Sequence, residues 1–291
     1  MPGRRTGSEW GGFRIANLQQ ACGLPPEISY RAGPRRQSAR WIGLKTLLLR
    51  ECAVIVRFWG VTLAPPAVST LLYFIVFGEI IGKRIGSIDG FAYIQFMVPG
   101  VIVLWVIPYS FGHAAGGFLG AKFFKYIEEL LVSPLPYWVI MAGYVTGGLA
   151  RGILVGVTAA VISLCFTHVH VYSVLLGLTA IALAAIIAAL AGFITGLFVN
   201  SFEQVFMIQG LILTPLMYLG GVFNSLSTLP VWAQTLSRVN PMFYMVNAFR
   251  YGLLGDSDVP IGLSLTLMSA ASVVLLLVSW ALLARGAGIR D

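Results

Sequence analysis

Lys122–Pro136 reads KFFKYIEELLVSPLP. Four of its side chains are charged (Lys122, Lys125, Glu128 and Glu129), in a chain where only 10% of residues are. Long apolar runs flank it on both sides. A charged, amphipathic stretch between two such runs marks a place where a membrane chain turns back through water, so its reading sets the count and direction of the spans. Lys122, Lys125 and Glu129 recur at i, i+3 and i+7 and share one helical face. Phe123, Phe124, Ile127, Leu130 and Leu131 supply an apolar side, and Ser133-Pro134-Leu135-Pro136 stops the helix. The spacing predicts a short helix over 121–133. From these residues alone it could lie on lipid or dock on a partner.

The composition around it is that of an integral membrane protein. The 291 residues are 58% hydrophobic, and the mean hydropathy is +0.86; a soluble domain carries about 25% charged residues. Net charge is +8, and 10 of the 19 Lys and Arg precede residue 60. In a lipid-compatible chain this basic excess speaks for membrane orientation rather than nucleic-acid binding. The three cysteines, Cys22, Cys52 and Cys165, are far apart and form no CxxC, which argues against a disulfide framework or a zinc site.

A hydrocarbon core takes about 20 apolar residues as helix. Six stretches qualify: about 61–82, 93–117, 137–166, 171–199, 204–223 and 260–284. Pro65-Pro66 bends the start of the first or sets it at the interface. Six spans put both termini on one side, which then holds 14 Lys and Arg, against four in the opposite loops. The positive-inside rule makes that side cytoplasmic, with KFFKYIEELLVSPLP on it.

Residues 1–37 are rich in Gly, Pro and Arg without apolar period and read as a disordered basic tail. Residues 38–59 read as an amphipathic interface helix, with Trp41, Leu44, Leu48, Cys52 and Ile55 on one face and Gly43, Thr46, Arg50, Ala53 and Arg57 opposite. The membrane domain follows over 60–285, and 286–291 form a short cytoplasmic end. Within it, 224–255 is long yet still apolar. Pro230 and Asn240-Pro241 mark two helix starts, and Gly252 and Gly255 close the second. Trp232, Phe243, Tyr244, Phe249 and Tyr251 suit a membrane interface. This predicts two short re-entrant helices over 229–254 on the outer side.

Enzyme chemistry is missing from the sequence. There is no GxSxG and no HExxH, and Gly82-Lys83 has Phe77 where a P-loop needs its first glycine. His168 and His170 lack a third ligand nearby, so no metal is expected, and His113 reads as a satisfied structural histidine. Arg151 is the oddity. It sits mid-span in GYVTGGLARGILVGV, where an arginine costs roughly 2.5–3.5 kcal/mol on insertion scales and faces protein or a wet cavity. Two readings stand: a substrate-path or gating residue, or a structural one that snorkels or pairs with a carbonyl or with Glu203. Gly143, Gly147, Gly148, Gly152 and Gly156 let another helix come close.

APPAVSTLLYFIVFGEIIG, FMVPGVIV, IEELLVSPLP with GYVTGGLARG, and LTPLMYLGGVFNSLSTLPVWAQTLSRVNPMFYMVNAFRYG occur in this order from about Trp41 onward. Together they resemble the ABC-2 type permeases, the membrane half of bacterial ABC exporters, and look closest to the YadH-like inner-membrane group. The resemblance implies an all-α fold of six transmembrane helices with both termini cytoplasmic. It implies that 121–133 is a coupling helix docking on a separate ABC-type ATPase through Lys122, Phe123, Phe124, Lys125, Ile127, Glu128, Glu129 and Leu130. It further implies a second permease copy as partner, with Trp232, Asn240, Pro241, Phe243, Tyr244, Phe249 and Arg250 in an outer lid over the path. No cofactor is expected on this chain; ATP and Mg belong to the ATPase. The expected function is export of a lipid, glycan, drug-like or otherwise amphipathic substrate from an inner membrane. The alternative is a secondary transporter or channel.

Overall fold

The computed structural model describes residues 36–88, 90–125, 136–167, 171–226 and 229–286. These lie almost wholly in one unit, Ala39–Asp291; of the other, Met1–Ser38, only its last three residues are described.

Helix α1 runs from Arg36 to Arg57, two residues earlier than the sequence pattern suggests. A single non-helical residue, Phe58 (φ −109°, ψ 24°), separates it from α2 (Trp59–Tyr73). Pro65 and Pro66 lie inside α2. The helix continues through a π-helical stretch, Phe74–Ile81, into the short α3 (Gly82–Ile85). A two-residue hairpin follows, β1 (Ser87–Ile88) antiparallel to β2 (Phe91–Ala92), with Ser87 opposite Ala92 and Ile88 opposite Phe91. The sequence reading has no such hairpin; Gly86 and Gly90, both with positive φ, mark its bends.

Helix α4 (Tyr93–Phe123) is the longest and forms the centre. It packs along α5 (Tyr137–Ser163) and α6 (Val174–Phe198). The α4–α5 crossing is set by small residues: a Cβ on Gly148 would stand 2.7 Å from the Ser110 carbonyl, and one on Gly152 would collide with the Ser110 hydroxyl. Of the glycine run read from the sequence, Gly148, Gly152 and Gly156 thus meet α4, while Gly143 meets Leu47 of α1. Helix α6 also packs against α10 (Pro241–Leu254) and α11 (Ile261–Ala284).

Five helices among the described residues are long and apolar enough to cross a membrane: Trp59–Gly78, Tyr93–Phe123, Tyr137–Ser163, Val174–Phe198 and Ile261–Ala284. The sixth expected stretch, 204–223, is shorter and broken. It comprises α7 (Phe202–Ile208), a π turn (Gln209–Leu213) and α8 (Thr214–Tyr218), after which the chain turns at Gly221 (φ 76°). At about 1.5 Å per residue this composite helix is about 25 Å long, at the short end of what a span takes, because the run of turn residues after Tyr218 ends it early.

The stretch 229–254 does form two short helices, α9 (Val231–Val239) and α10. Asn240 caps α10: its side chain accepts from the Met242 N–H at 3.0 Å while its amide donates to the Leu216 carbonyl. Gly255, with φ 77°, ends it.

Candidate functional site

A chain of polar side chains crosses the apolar interior where α1, α2, α4 and α5 meet. Glu51 of α1 lies 2.8 Å from Nε2 of His113 on α4. Both are buried, at 7% and 5% side-chain exposure. The other ring nitrogen, Nδ1, is 3.3 Å from an Nη1 of Arg151 on α5, whose Nη2 donates to Thr62 Oγ1 on α2 at 2.9 Å. Arginine can only donate, so Nδ1 must accept and the ring proton sits on Nε2, donating to the Glu51 carboxylate. A neutral imidazole therefore relays between a carboxylate and a guanidinium that do not touch. The cation expected from the sequence is half-buried and has its counter-charge one ring away. Gly147 makes room for the relay: a Cβ there would stand 2.9 Å from His113 Nε2 and 3.0 Å from Glu51 Oε2.

Arg151 therefore pairs with His113 and Thr62, not with Glu203, which is exposed in the first turn of α7. Its guanidinium also lies 5.8 Å from the centre of the Tyr109 ring. His113, read from the sequence as a satisfied structural histidine, has partners on both ring nitrogens; Glu51 is what the sequence reading misses. Among the described side chains of α1 the buried ones are Leu47, Glu51 and Ile55, at i, i+4 and i+8, while Trp41 and Cys52 are exposed. This protein-facing row lies beside the apolar row read from the sequence as lipid-facing, and that reading gave Glu51 no place. The signal available was Glu51 sharing a helical row with Leu47 and Ile55.

Beside the relay opens a cleft of ≈ 380 Å³, walled by α4, α5 and the α7–π segment. Pro108, Gly112 and Gly116 form its small-residue floor at i, i+4 and i+8. Tyr109, His113 and Arg151 line one side, and Phe202, Val205, Phe206 and Gln209 the other. Gln209 is held by donation to the Pro108 carbonyl at 2.8 Å, at the residue where the helix turns to π geometry.

The coupling segment is described only in part. Lys122 and Phe123 belong to the last turn of α4 itself, and Lys125, with φ 61°, ends it. Lys122 Nζ donates to the carbonyls of Leu197 (2.9 Å) and Val199 (3.2 Å), capping the end of α6. Phe123 and Phe124 are exposed, and the Phe123 ring lies 6.2 Å from that of Phe202 on the cleft wall. Ile127, Glu128, Glu129 and Leu130 lie outside the described residues.

The expected outer-lid residues separate into two groups. Trp232 is 70% exposed, and Pro241 is exposed too. Phe243 and Phe249 are instead buried, because their side of α10 packs onto α6 and α4. Tyr244 is half-buried and donates to the Arg238 carbonyl at 2.7 Å. Arg250, 3% exposed, is a structural anchor. It pairs with Asp258 at 3.2 Å, donates to the Gly221 carbonyl, and lies 3.9 Å from the centre of the Phe96 ring. Asp258 also accepts from Ser225 Oγ (2.7 Å) and the Leu226 N–H (3.2 Å). Sequence reasoning missed Asp258, which sits in a loop with no periodic pattern.

A model of the ABC-2 type transporter family matches residues 43–254, a span that starts in α1, holds the relay and cleft, and ends with α10. The chain belongs to the ABC-2 type transporter family. It is similar to the inner membrane transport permease YadH of Escherichia coli K12, with 44% identity over 251 residues, 86% of this chain and 98% of that one. It is also similar to nodulation protein J of Rhizobium meliloti, with 27% identity over 217 residues, covering 74% and 82%. Nodulation protein J of Sinorhizobium fredii is 26% identical over 227 residues, covering 77% and 84%. With five helices of membrane-crossing length, the ABC-2 chain is a membrane transport permease of all-α architecture.

Proposed function

We propose that this ABC-2 permease is the membrane half of an exporter driven by a separate ABC-type ATPase, carrying an amphipathic lipid, glycan or drug-like cargo out through an inner membrane. The observation that carries the reading is the family match across 43–254. On this reading the chain binds no cofactor, ATP and Mg being the partner's, and works as a pair of permease copies. The composite α7–α8 helix completes the sixth passage, both ends are cytoplasmic, and 121–133 meets the ATPase. A movement there has two routes inward: Lys122 to the end of α6, and Phe123 to Phe202 at the cleft. The exposed ring of Trp232 on α9 is the part of the outer segment suited to act as a lid, while α10, through Arg250 and Asp258, is its fixed mount.

A second reading, a secondary transporter, gains from one finding: Arg151 is joined by His113 and Glu51, so three ionisable groups meet in the apolar interior. Reconstitution separates the two. Purified with a partner ABC-type ATPase, the chain should move cargo only when ATP is hydrolysed. Transport by the chain alone on a proton gradient would instead establish the second reading.

A further inference from the structure

We infer that the cleft at Arg151 is a binding site for one acidic group, a carboxylate or phosphate, carried on an amphipathic molecule whose apolar or ring-bearing body lies along α4. The relay is neutral as a whole, but its charges are unevenly placed. Glu51 is buried on α1 and reaches Arg151 only through His113. Among the described residues lining the cleft there is no carboxylate; Arg151, His113, Gln209 and Tyr109 are the polar ones. The cleft therefore faces the positive end of the relay. A cation whose counter-ion stands one ring away in a low-dielectric interior attracts a second anion far more strongly than in water. Arg151 has capacity for it: it lines the cleft, and of its five N–H donors one on Nη1 goes to His113 and one on Nη2 to Thr62.

The rest of the ligand follows from what adjoins. Tyr109 is edge-on to Trp105 at 6.3 Å, Trp105 is 6.3 Å from Tyr73, and the Tyr73 hydroxyl meets that of Tyr218 at 3.2 Å. A row of partly exposed rings thus leads away from Arg151 along one face of α4. Rings of this kind accept acyl chains and sugar faces alike.

That such a molecule is cargo rests on the export reading; that the site takes an acid does not. The test uses the purified full chain in phosphatidylcholine nanodiscs, without ATPase or nucleotide. The probes are 11-(dansylamino)undecanoic acid and its methyl ester, followed by tryptophan-to-dansyl energy transfer with partition into empty discs subtracted. The acid should bind at least about tenfold more tightly than the ester, as for a charge-assisted pair. Arg151→Gln should bring the two together, and Arg151→Lys should keep most of the preference. Equal binding of acid and ester to the unaltered chain overturns the inference, a result that needs no variant to fold. So does an unchanged preference in a folded Arg151→Gln. In discs containing phosphatidylglycerol, displacement of the acid names a resident lipid as the natural source and retention names a transported acid; either upholds the site. A chain that binds no ATPase can still show the preference, and an ATP-driven exporter of neutral cargo will not, so this inference and the export reading fail separately.

Discussion

Replacing Glu51 tests whether Glu51, His113 and Arg151 act as one unit. Glu51 and His113 are 7% and 5% exposed and 2.8 Å apart, and Arg151 stands 3.3 Å beyond the ring. Glu51→Leu leaves the His113 N–H without an acceptor and the guanidinium without its counter-charge, at a cost of about 3–5 kcal/mol. Glu51→Gln also removes the counter-charge but keeps an acceptor oxygen for His113, so it should cost about 1–3 kcal/mol less than Glu51→Leu. Arg151→Leu alone leaves the carboxylate in the same unpaired state. Because each single change strands the other charge, Glu51→Leu with Arg151→Leu should cost about 1–3 kcal/mol less than the two singles added. The assay is unfolding by SDS in mixed micelles, read by tryptophan fluorescence. If the two changes add to within about 0.5 kcal/mol, the histidine relays nothing and the reasoning fails.

Gly147→Ala should destabilise by about 1–3 kcal/mol in the same assay, since the new methyl would press on both His113 and Glu51; Gly60→Ala, with nothing within 4 Å, is the matched control and should cost little. Asp258→Ala should cost about 3–5 kcal/mol by stranding buried Arg250, and Arg250→Leu with Asp258→Ala should recover part of it. Lys122→Ala removes the donor to Leu197 and Val199; on the export reading it should lower transport per ATP hydrolysed while ATPase still co-purifies, and unchanged coupling would remove Lys122 from the route.

The long helices were legible because apolar runs of about 20 residues admit little else, and Asn240-Pro241 announced α10 through its capping chemistry. The glycine run around Arg151 likewise announced a packed face. What stayed hidden depends on tertiary contacts. Glu51 and His113 look like a surface acid and a lone span-end histidine until α1 is laid against α4 and α5. The early end of 204–223 turns on Gly221, one residue in a stretch whose hydropathy does not change. Phe243 and Phe249 read as interface aromatics from composition, but helix direction places them inward. Neither Asp258 nor the Ser87–Ala92 hairpin has a periodic pattern to read.

The most direct measurement of the central claim is co-purification followed by transport. The tagged chain is isolated from its native host together with whatever ABC-type ATPase it holds, and the complex is reconstituted. The account predicts one ATPase per permease, no ATP hydrolysis by the permease alone, and cargo movement that stops when the ATPase cannot hydrolyse. A permease that captures no ATPase and transports on an ion gradient would contradict it.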